Sequence, residues 1–215
     1  TQPDRPKGRQ LIPNPSPVKL EAESRHLPVH QPERLRSDIQ YLEQLAPDLI
    51  VVAAYGQILP QVVLDLPPHG CLNVHGSLLP AYRGAAPIQH AILDGQAETG
   101  ITIMQMDAGL DTGAMLSKAA TPIEPTDNAQ TLHDRLAKLG AELLLETIPR
   151  HVAGEITPEP QDETLATHAA KITREMGRID WSQPATQLWN RARAFTPWPG
   201  VFTRLDGKLL KLLEV

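Results

Sequence analysis

Asn73-Val74-His75-Gly76-Ser77-Leu78-Leu79-Pro80 opens the stretch that decides the fold, and Gly109-Leu110-Asp111-Thr112-Gly113 closes it. Asn73 and His75 are two residues apart, so on an extended strand both side chains point to one face. Gly76 breaks the strand and leaves His75 at its carboxyl end, where an open α/β sheet binds its ligands. Asp111 lies between Gly109 and Gly113, in a loop whose backbone can bend close to a substrate. An amide, an imidazole and a carboxylate suit attack by an amine on a carbonyl-like carbon. They supply a donor to a developing oxyanion, a group that handles a proton, and a carboxylate that orients or tunes it.

Working outward, Leu49 to Ala54 is a short continuous apolar run, the pattern of a parallel strand buried on both faces. Gly70–His75 is the next strand, and Ile101–Met106 and Met115-Leu116 are two more. Leu35, Ile39, Leu42 and Leu45 mark a helix face after Pro32, and Pro87–Ile92 a short helix stopped by Gly95. Thr126 or Asp127 is expected to cap a long helix with Leu132, Leu136, Leu139 and Leu143 on one face. Pro184 fits the first turn of a helix with Leu188 and Ala192 inward. These elements predict an α/β fold with a doubly wound, mostly parallel sheet. Asp206-Gly207 between two apolar runs is a hairpin signal that breaks the alternation and starts a separate β domain. The expected division is a catalytic domain over 1–150, a linker over 151–175, and the start of a second domain over 176–215.

Residues 1–19 carry Pro3, Pro6, Pro13, Pro15 and Pro17, so regular structure is not expected there. Arg5, Lys7, Arg9 and Lys19 against Asp4 give this segment a charge of +3, opposite in sign to the chain's −5. That balance argues against non-specific nucleic-acid binding while leaving room for a local basic patch. The single cysteine, Cys71, excludes an internal disulfide and fits a reducing compartment. No apolar run approaches the roughly 20 residues of a membrane helix. The opening Thr1-Gln2-Pro3-Asp4 and the apolar close Leu212-Leu213-Glu214-Val215 read as part of a longer polypeptide.

Each motif has a plainer reading beside the sharp one. Asn-x-His pairs are mostly structural, and Asp beside Gly is ordinary turn chemistry. Asp111-Thr112-Gly113 mimics the aspartic-protease motif but lacks the all-β context and a second copy. His26 and His30 have metal-like spacing, yet Pro28 between them prevents a shared helix face and no ligand cluster supports them. His69, His90, His133, His151 and His168 read as surface or packing residues. Trp181, Trp189 and Trp198 read as packing residues, with base stacking the alternative. The residues contain no phosphate-cradling glycine motif, so a nucleotide cofactor has no support. The basic loop is either solvated or a phosphate-contacting insertion.

Together these segments closely resemble the methionyl-tRNA formyltransferase family. The resemblance rests on the opening Thr1–Pro6 with Gly8-Arg9, on Val52-Ala53-Ala54-Tyr55-Gly56, and on Asn73–Pro80. It continues through Arg83-Gly84-Ala85-Ala86-Pro87-Ile88-Gln89, Gly109–Gly113, Gln161-Asp162-Glu163-Thr164, Arg178-Ile179-Asp180-Trp181-Ser182 and Arg193–Pro199. It implies a formyltransferase-like domain of Rossmann type, here without its first βα unit, followed by the start of an OB-like β domain. It implies transfer of the formyl group of 10-formyltetrahydrofolate to the α-amino group of initiator methionyl-tRNA. Asn73, His75 and Asp111 would be catalytic, Ser77, Leu78, Leu79 and Pro80 would line the folate site, and Arg5, Lys7 and Arg9 would meet tRNA phosphates. The apolar residues of the turn after His75 independently suit a pterin or aryl ring. No metal is expected. A monomer in the bacterial cytoplasm is expected, with an organelle matrix as the alternative.

The nearest rival is a formyltransferase acting on a small amine, such as an amino sugar or a purine precursor. It would share Asn73, His75 and Asp111 and have no use for the basic loop. Hydrolysis at the same site and a catalytically silent RNA-binding protein are more distant rivals.

Overall fold

The structure, a computed structural model, describes residues 1–7 and 12–213 and forms two compact units, Thr1–Cys71 and Leu72–Val215. In the first unit, β1 (Arg5–Lys7) pairs antiparallel with β2 (Ile12–Asn14), and α1 spans Pro17–Ser24. The expectation that residues 1–19 lack regular structure is therefore corrected. Pro6 lies opposite Pro13, so both missing donors fall on one rung and the rungs either side remain. Pro17 sits in the first turn of α1, where a backbone N–H has no helical partner anyway, and the Ser16 hydroxyl accepts from Lys19 N at 3.2 Å. The Thr1 nitrogen donates to His30 O at 2.8 Å, and Gln31 donates to Gln2 O and Asp4 Oδ1, both at 2.8 Å. Lys19 is spent in an ion pair with Asp4 at 2.8 Å, so it is not a free cation of the basic segment.

Residues Leu35–Ser37 form a single 3₁₀ turn and α2 spans Ile39–Leu45, so the expected helix holds Ile39, Leu42 and Leu45 while Leu35 lies outside it, buried in the turn. β3 (Ile50–Val52) follows. Its apolar run is not buried on both faces: Val51 is 41% exposed while Ile50 and Val52 are half-buried. Alternate strand residues face opposite ways, and only one face is covered. α3 (Gln61–Leu64) packs its carbonyls over Cys71, whose thiol burial pushes up to about 11. Such a thiol stays protonated and unreactive at neutral pH.

The second unit is built on β4 (Cys71–His75), β5 (Arg83–Gly84), α4 (Pro87–Leu93), β6 (Glu98–Gln105) and β7 (Met115–Pro122). β6 pairs antiparallel with β4, setting Asn73 opposite Met104 and His75 opposite Thr102. β7 pairs antiparallel with β6 as well. The short loop between β6 and β7 dictates that direction, since a parallel pair needs a crossover of about a dozen residues or more. The α/β class holds, with antiparallel register in this part of the sheet. α5 (Ala129–Val152) lies on β6 and β7, with Leu132 and Leu136 buried and Leu139 and Leu143 half-buried. Gly140 allows the approach, because a Cβ there would stand 2.9 Å from Val74 Cγ1.

The cap of α5 is Asn128 rather than Thr126 or Asp127. Its side chain accepts from Gln130 N at 2.9 Å and Thr131 N at 3.0 Å, and Thr131 Oγ1 accepts in return from Asn128 N. Asp127 is buried one residue earlier, where burial pushes its carboxyl up. Donors from Arg135, Glu124 N and Thr131 outweigh that and hold it below the ordinary range. A carboxyl depressed in the fold stabilises fully above its unfolded pKa of 3.8 and loses that contribution as pH falls from there through its lower folded pKa. Asp127→Asn should therefore cost about 1–3 kcal/mol at neutral pH. Melting at pH 7 and pH 3 checks the sign: the penalty should shrink in acid, and an equal penalty at both would reject an ionic role.

After α5, residues Glu163–Leu165 form a 3₁₀ turn and β8 (His168–Ala169) pairs parallel with β5. α6 (Ala185–Ala194) packs on α4, with Pro184 as its N-cap and Ala192 buried. β9 (Val201–Leu205) and β10 (Lys208–Leu212) form the expected hairpin, with positive φ at both Asp206 and Gly207. Trp181 and Trp198 are 63% and 57% exposed, which corrects their reading as packing residues. Trp181 Nε1 donates to Thr203 Oγ1 at 3.0 Å, and the Arg193 guanidinium lies 3.9 Å from the Trp189 ring centroid. Among the described residues, no helix is long and apolar enough to cross a membrane.

Candidate active site

β4 delivers Asn73 and His75 to the same side of the sheet, as alternation requires. The loop after β6 brings Asp111 to them. Asp107 shapes that loop by accepting from Gly109 N at 3.0 Å and from Thr112 Oγ1 at 2.7 Å. Asp111 itself adopts φ 54°, a left-handed conformation that Asp tolerates better than most residues. Gly113 completes the bend, since a Cβ there would stand 1.8 Å from Gln105 O.

The three predicted catalytic side chains meet. Asn73 Nδ2 donates to Asp111 Oδ1 at 3.3 Å, and Gly84 N donates to Asp111 Oδ2 at 2.9 Å. His75 Nδ1 stands 3.7 Å from the same Oδ2. The His75 and Asp111 side chains are only 5% and 14% exposed, so their charges act through little water. His75 Nε2 is 2.9 Å from the carbonyl of Tyr82. A carbonyl only accepts, so Nε2 carries a hydrogen and Nδ1 is the ring atom left to take up or release a proton. One Asn73 N–H is engaged by Asp111 and its second is available to an incoming oxygen.

The turn over Ser77–Pro80 follows directly. Thr102 Oγ1 donates to Ser77 O at 2.8 Å and accepts from Leu79 N at 3.0 Å, anchoring the turn to β6. Ser77 and Leu79 are buried, Leu79 against Met104 and Met115, while Leu78 and Pro80 are half-buried. In the first unit, Arg5 is exposed on β1 and donates to Gln2 Oε1 at 3.0 Å. Lys7 lies on the same strand, and Arg9 lies outside the described residues. His30 stacks on Tyr41 and pairs with Asp38 at 2.7 Å. Among the described residues no group of three or more His, Cys, Asp or Glu is placed to hold a metal.

Four further residues touch the site without having been assigned a part: Tyr82, Arg83, Gly84 and Gln161. Arg83-Gly84 and Gln161 stand within the stretches that carry the family resemblance. No spacing rule ties Gln161 to a loop fifty positions earlier.

Residues 1–148 match the family model for formyl transferase, and 171–215 match that for the formyl transferase C-terminal domain. A methionyl-tRNA formyltransferase of Geobacter sulfurreducens is 54% identical, with all of this chain covering 68% of that protein. Among solved structures, a 4-N formyltransferase from Francisella tularensis superimposes with a TM-score of 0.76 at 18% identity, covering 91% of this chain and 80% of that one. HypX from Aquifex aeolicus, solved with tetrahydrofolic acid, gives a TM-score of 0.70 at 22% identity, covering 82% of this chain and 30% of that one. At those identities the two structures speak for the fold alone. With both family models in chain order and more than half of the residues shared with its Geobacter relative, the chain belongs to the methionyl-tRNA formyltransferase family.

Proposed function

We propose that the protein transfers the formyl group of 10-formyltetrahydrofolate to the α-amino group of initiator methionyl-tRNA. The observation that carries this reading is the convergence of Asn73, His75 and Asp111 in one buried cluster, on a chain so similar to named methionyl-tRNA formyltransferases. The uncharged amine attacks the formyl carbon, a C–N bond forms, and the bond from that carbon to the folate nitrogen breaks. The second N–H of Asn73 meets the oxygen that gains charge. Asp111 and His75 Nδ1 form the proton-handling pair that takes the amine's proton and returns one to the departing nitrogen. Asp111 has both oxygens held by donors, so its carboxylate is oriented before substrate arrives.

Leu78 and Pro80, with the Ser77–Pro80 backbone, are assigned to the folate ring, and Ser77 and Leu79 support that turn from beneath. Arg5, Lys7 and Arg9 are assigned to tRNA phosphates. Residues 1–150 would form the catalytic domain, 151–175 the linker, and 176–215 the start of the tRNA-binding domain. A monomer in the bacterial cytoplasm completes the reading.

Offering initiator methionyl-tRNA and an amino sugar in parallel to the full-length enzyme with 10-formyltetrahydrofolate tests the assignment. Formylation of the tRNA is expected, and formylation of the sugar alone would overturn it. Replacing Arg5, Lys7 and Arg9 together by Glu should raise KM for the tRNA about tenfold or more while leaving KM for the folate unchanged. Every cation–phosphate pair removed should also reduce the salt slope of tRNA binding by about one. An unchanged slope would return the basic segment to a solvated loop.

A further inference from the structure

The segment Glu159–Ala169 follows the long helix and reads as connection, yet it runs alongside the Asp111 loop and the Tyr82–Ala85 stretch. Glu159 N and O bond the backbone of Met115 at 2.8 Å each. Gln161 Nε2 donates to Asp111 O and to Gly113 O, both at 2.8 Å. Glu163 receives the buried Arg83 through two bonds of 2.7 and 2.9 Å. Thr167 Oγ1 accepts from Tyr82 N at 2.8 Å, Thr167 O accepts from Arg83 N at 2.8 Å, and Ala169 O accepts from Ala85 N at 2.9 Å.

Two of those bonds fall on residues in left-handed backbone, Tyr82 at φ 62° and Asp111 at φ 54°. Such conformations cost about 1–2 kcal/mol each outside glycine and persist where surrounding structure over-determines them. Both residues bear on the catalytic trio. Asp111 supplies the carboxylate, and the Tyr82 carbonyl fixes the tautomer of His75. Gln161 is itself fixed. Its Oε1 accepts from Arg83 Nε at 2.9 Å, and because arginine only donates, the amide cannot turn round. Both of its N–H groups are then committed to the Asp111 loop. Arg83 and Gly84 therefore grip Asp111 twice, Gly84 directly on the carboxylate and Arg83 through Gln161 on the backbone.

We infer that Gln161 is a positioning residue for formyl transfer: from the Glu159–Ala169 segment, braced by Arg83, it sets the Asp111 loop in the geometry His75 and Asn73 require. This inference rests on the reaction proposed above. The bonds of Gln161 run to Arg83 and to two backbone carbonyls, none of them a reacting atom, so its loss should act on kcat rather than on binding. A displacement of about 1 Å at a catalytic group costs on the order of 100-fold in rate.

The test uses the full-length enzyme and two near-isosteric variants. Gln161→Met removes both donors and the acceptor. Gln161→Glu keeps the acceptor for Arg83 and puts one oxygen in place of the donor nitrogen, facing two carbonyls. Thr147→Val, which removes the 2.6 Å bond between Thr147 and Ser117 and touches none of the residues bonded to Gln161, serves as a stability control. Both Gln161 variants should lower kcat about 10- to 100-fold, with KM for each substrate within twofold and the acid limb of the kcat–pH profile displaced. Thr147→Val should keep the wild-type pH profile whatever its loss in Tm. Near-wild-type kcat in Gln161→Met, or a fall in kcat with an unmoved pH profile, would show that Gln161 only supports the fold. Wild-type enzyme that fails to formylate methionyl-tRNA would instead sink the proposed reaction, so the two failures are distinct.

Discussion

His75→Ala should reduce kcat for formyl transfer by about 100- to 10,000-fold, the range a positioned proton-handling group supplies. The imidazole has one nitrogen committed to the Tyr82 carbonyl and the other turned toward Asp111 at 3.7 Å. Removing it leaves the carboxylate in place but takes away the group that exchanges a proton beside it. KM for the folate should change little, because nothing in the proposed chemistry asks His75 to hold the ring. His75→Gln, whose amide nitrogen reaches to about where Nε2 stands, keeps a donor toward the Tyr82 carbonyl and should fail almost as badly, since an amide does not titrate. Single-turnover formylation by the full-length variants measures this directly. A variant with full turnover would remove His75 from the mechanism altogether.

Gly113→Ala should damage stability and rate together. The added Cβ would stand 1.8 Å from Gln105 O and 3.1 Å from Met104 Cε, so either the end of β6 or the Asp111 loop has to move. Overpacking against backbone costs about 1–3 kcal/mol or more. The same residue's carbonyl receives one of the two Gln161 donors, so the shift is passed to Asp111. A lowered Tm accompanied by a kcat reduced at least tenfold is the expected result. The corresponding change at Gly154, which has positive φ but open space around its Cβ position, should cost stability through backbone strain alone and leave kcat intact. Equal kcat in the two variants would mean that the loop tolerates the displacement.

Local rules carried much of the fold. The β9–β10 turn followed from Asp206-Gly207, the α5 face from its leucine spacing, and the convergence of Asn73 with His75 from strand alternation. What failed locally failed for local reasons. Proline punctuation obscured β1 and β2, because Pro6 and Pro13 share a rung and Pro17 occupies a helix start. The cap of α5 slipped by one residue because Asp127 and Asn128 are both good cap residues, and Arg135 claims the first. Trp181 and Trp198 are exposed although aromatic residues are buried on average, because exposure depends on neighbours that no window of sequence contains. In the site, proximity of Asp111 to His75 could be anticipated from the family pattern. The part of Gln161 could not, since its bonds to Asp111 and Gly113 join distant segments through tertiary packing.

The two family segments end at 148 and resume at 171, and Glu159–Ala169 lies in the interval. A boundary drawn from those segments would look natural to anyone building chimeras between formyltransferases. It would cut the β5–β8 pairing and exchange the amide that seats on the Asp111 loop. In modular terms, the interval travels with the catalytic half. Hybrids joined after Ala169 should inherit a working centre from their first parent, whereas hybrids joined near 148 should inherit a centre built by two parents whose parts were never matched.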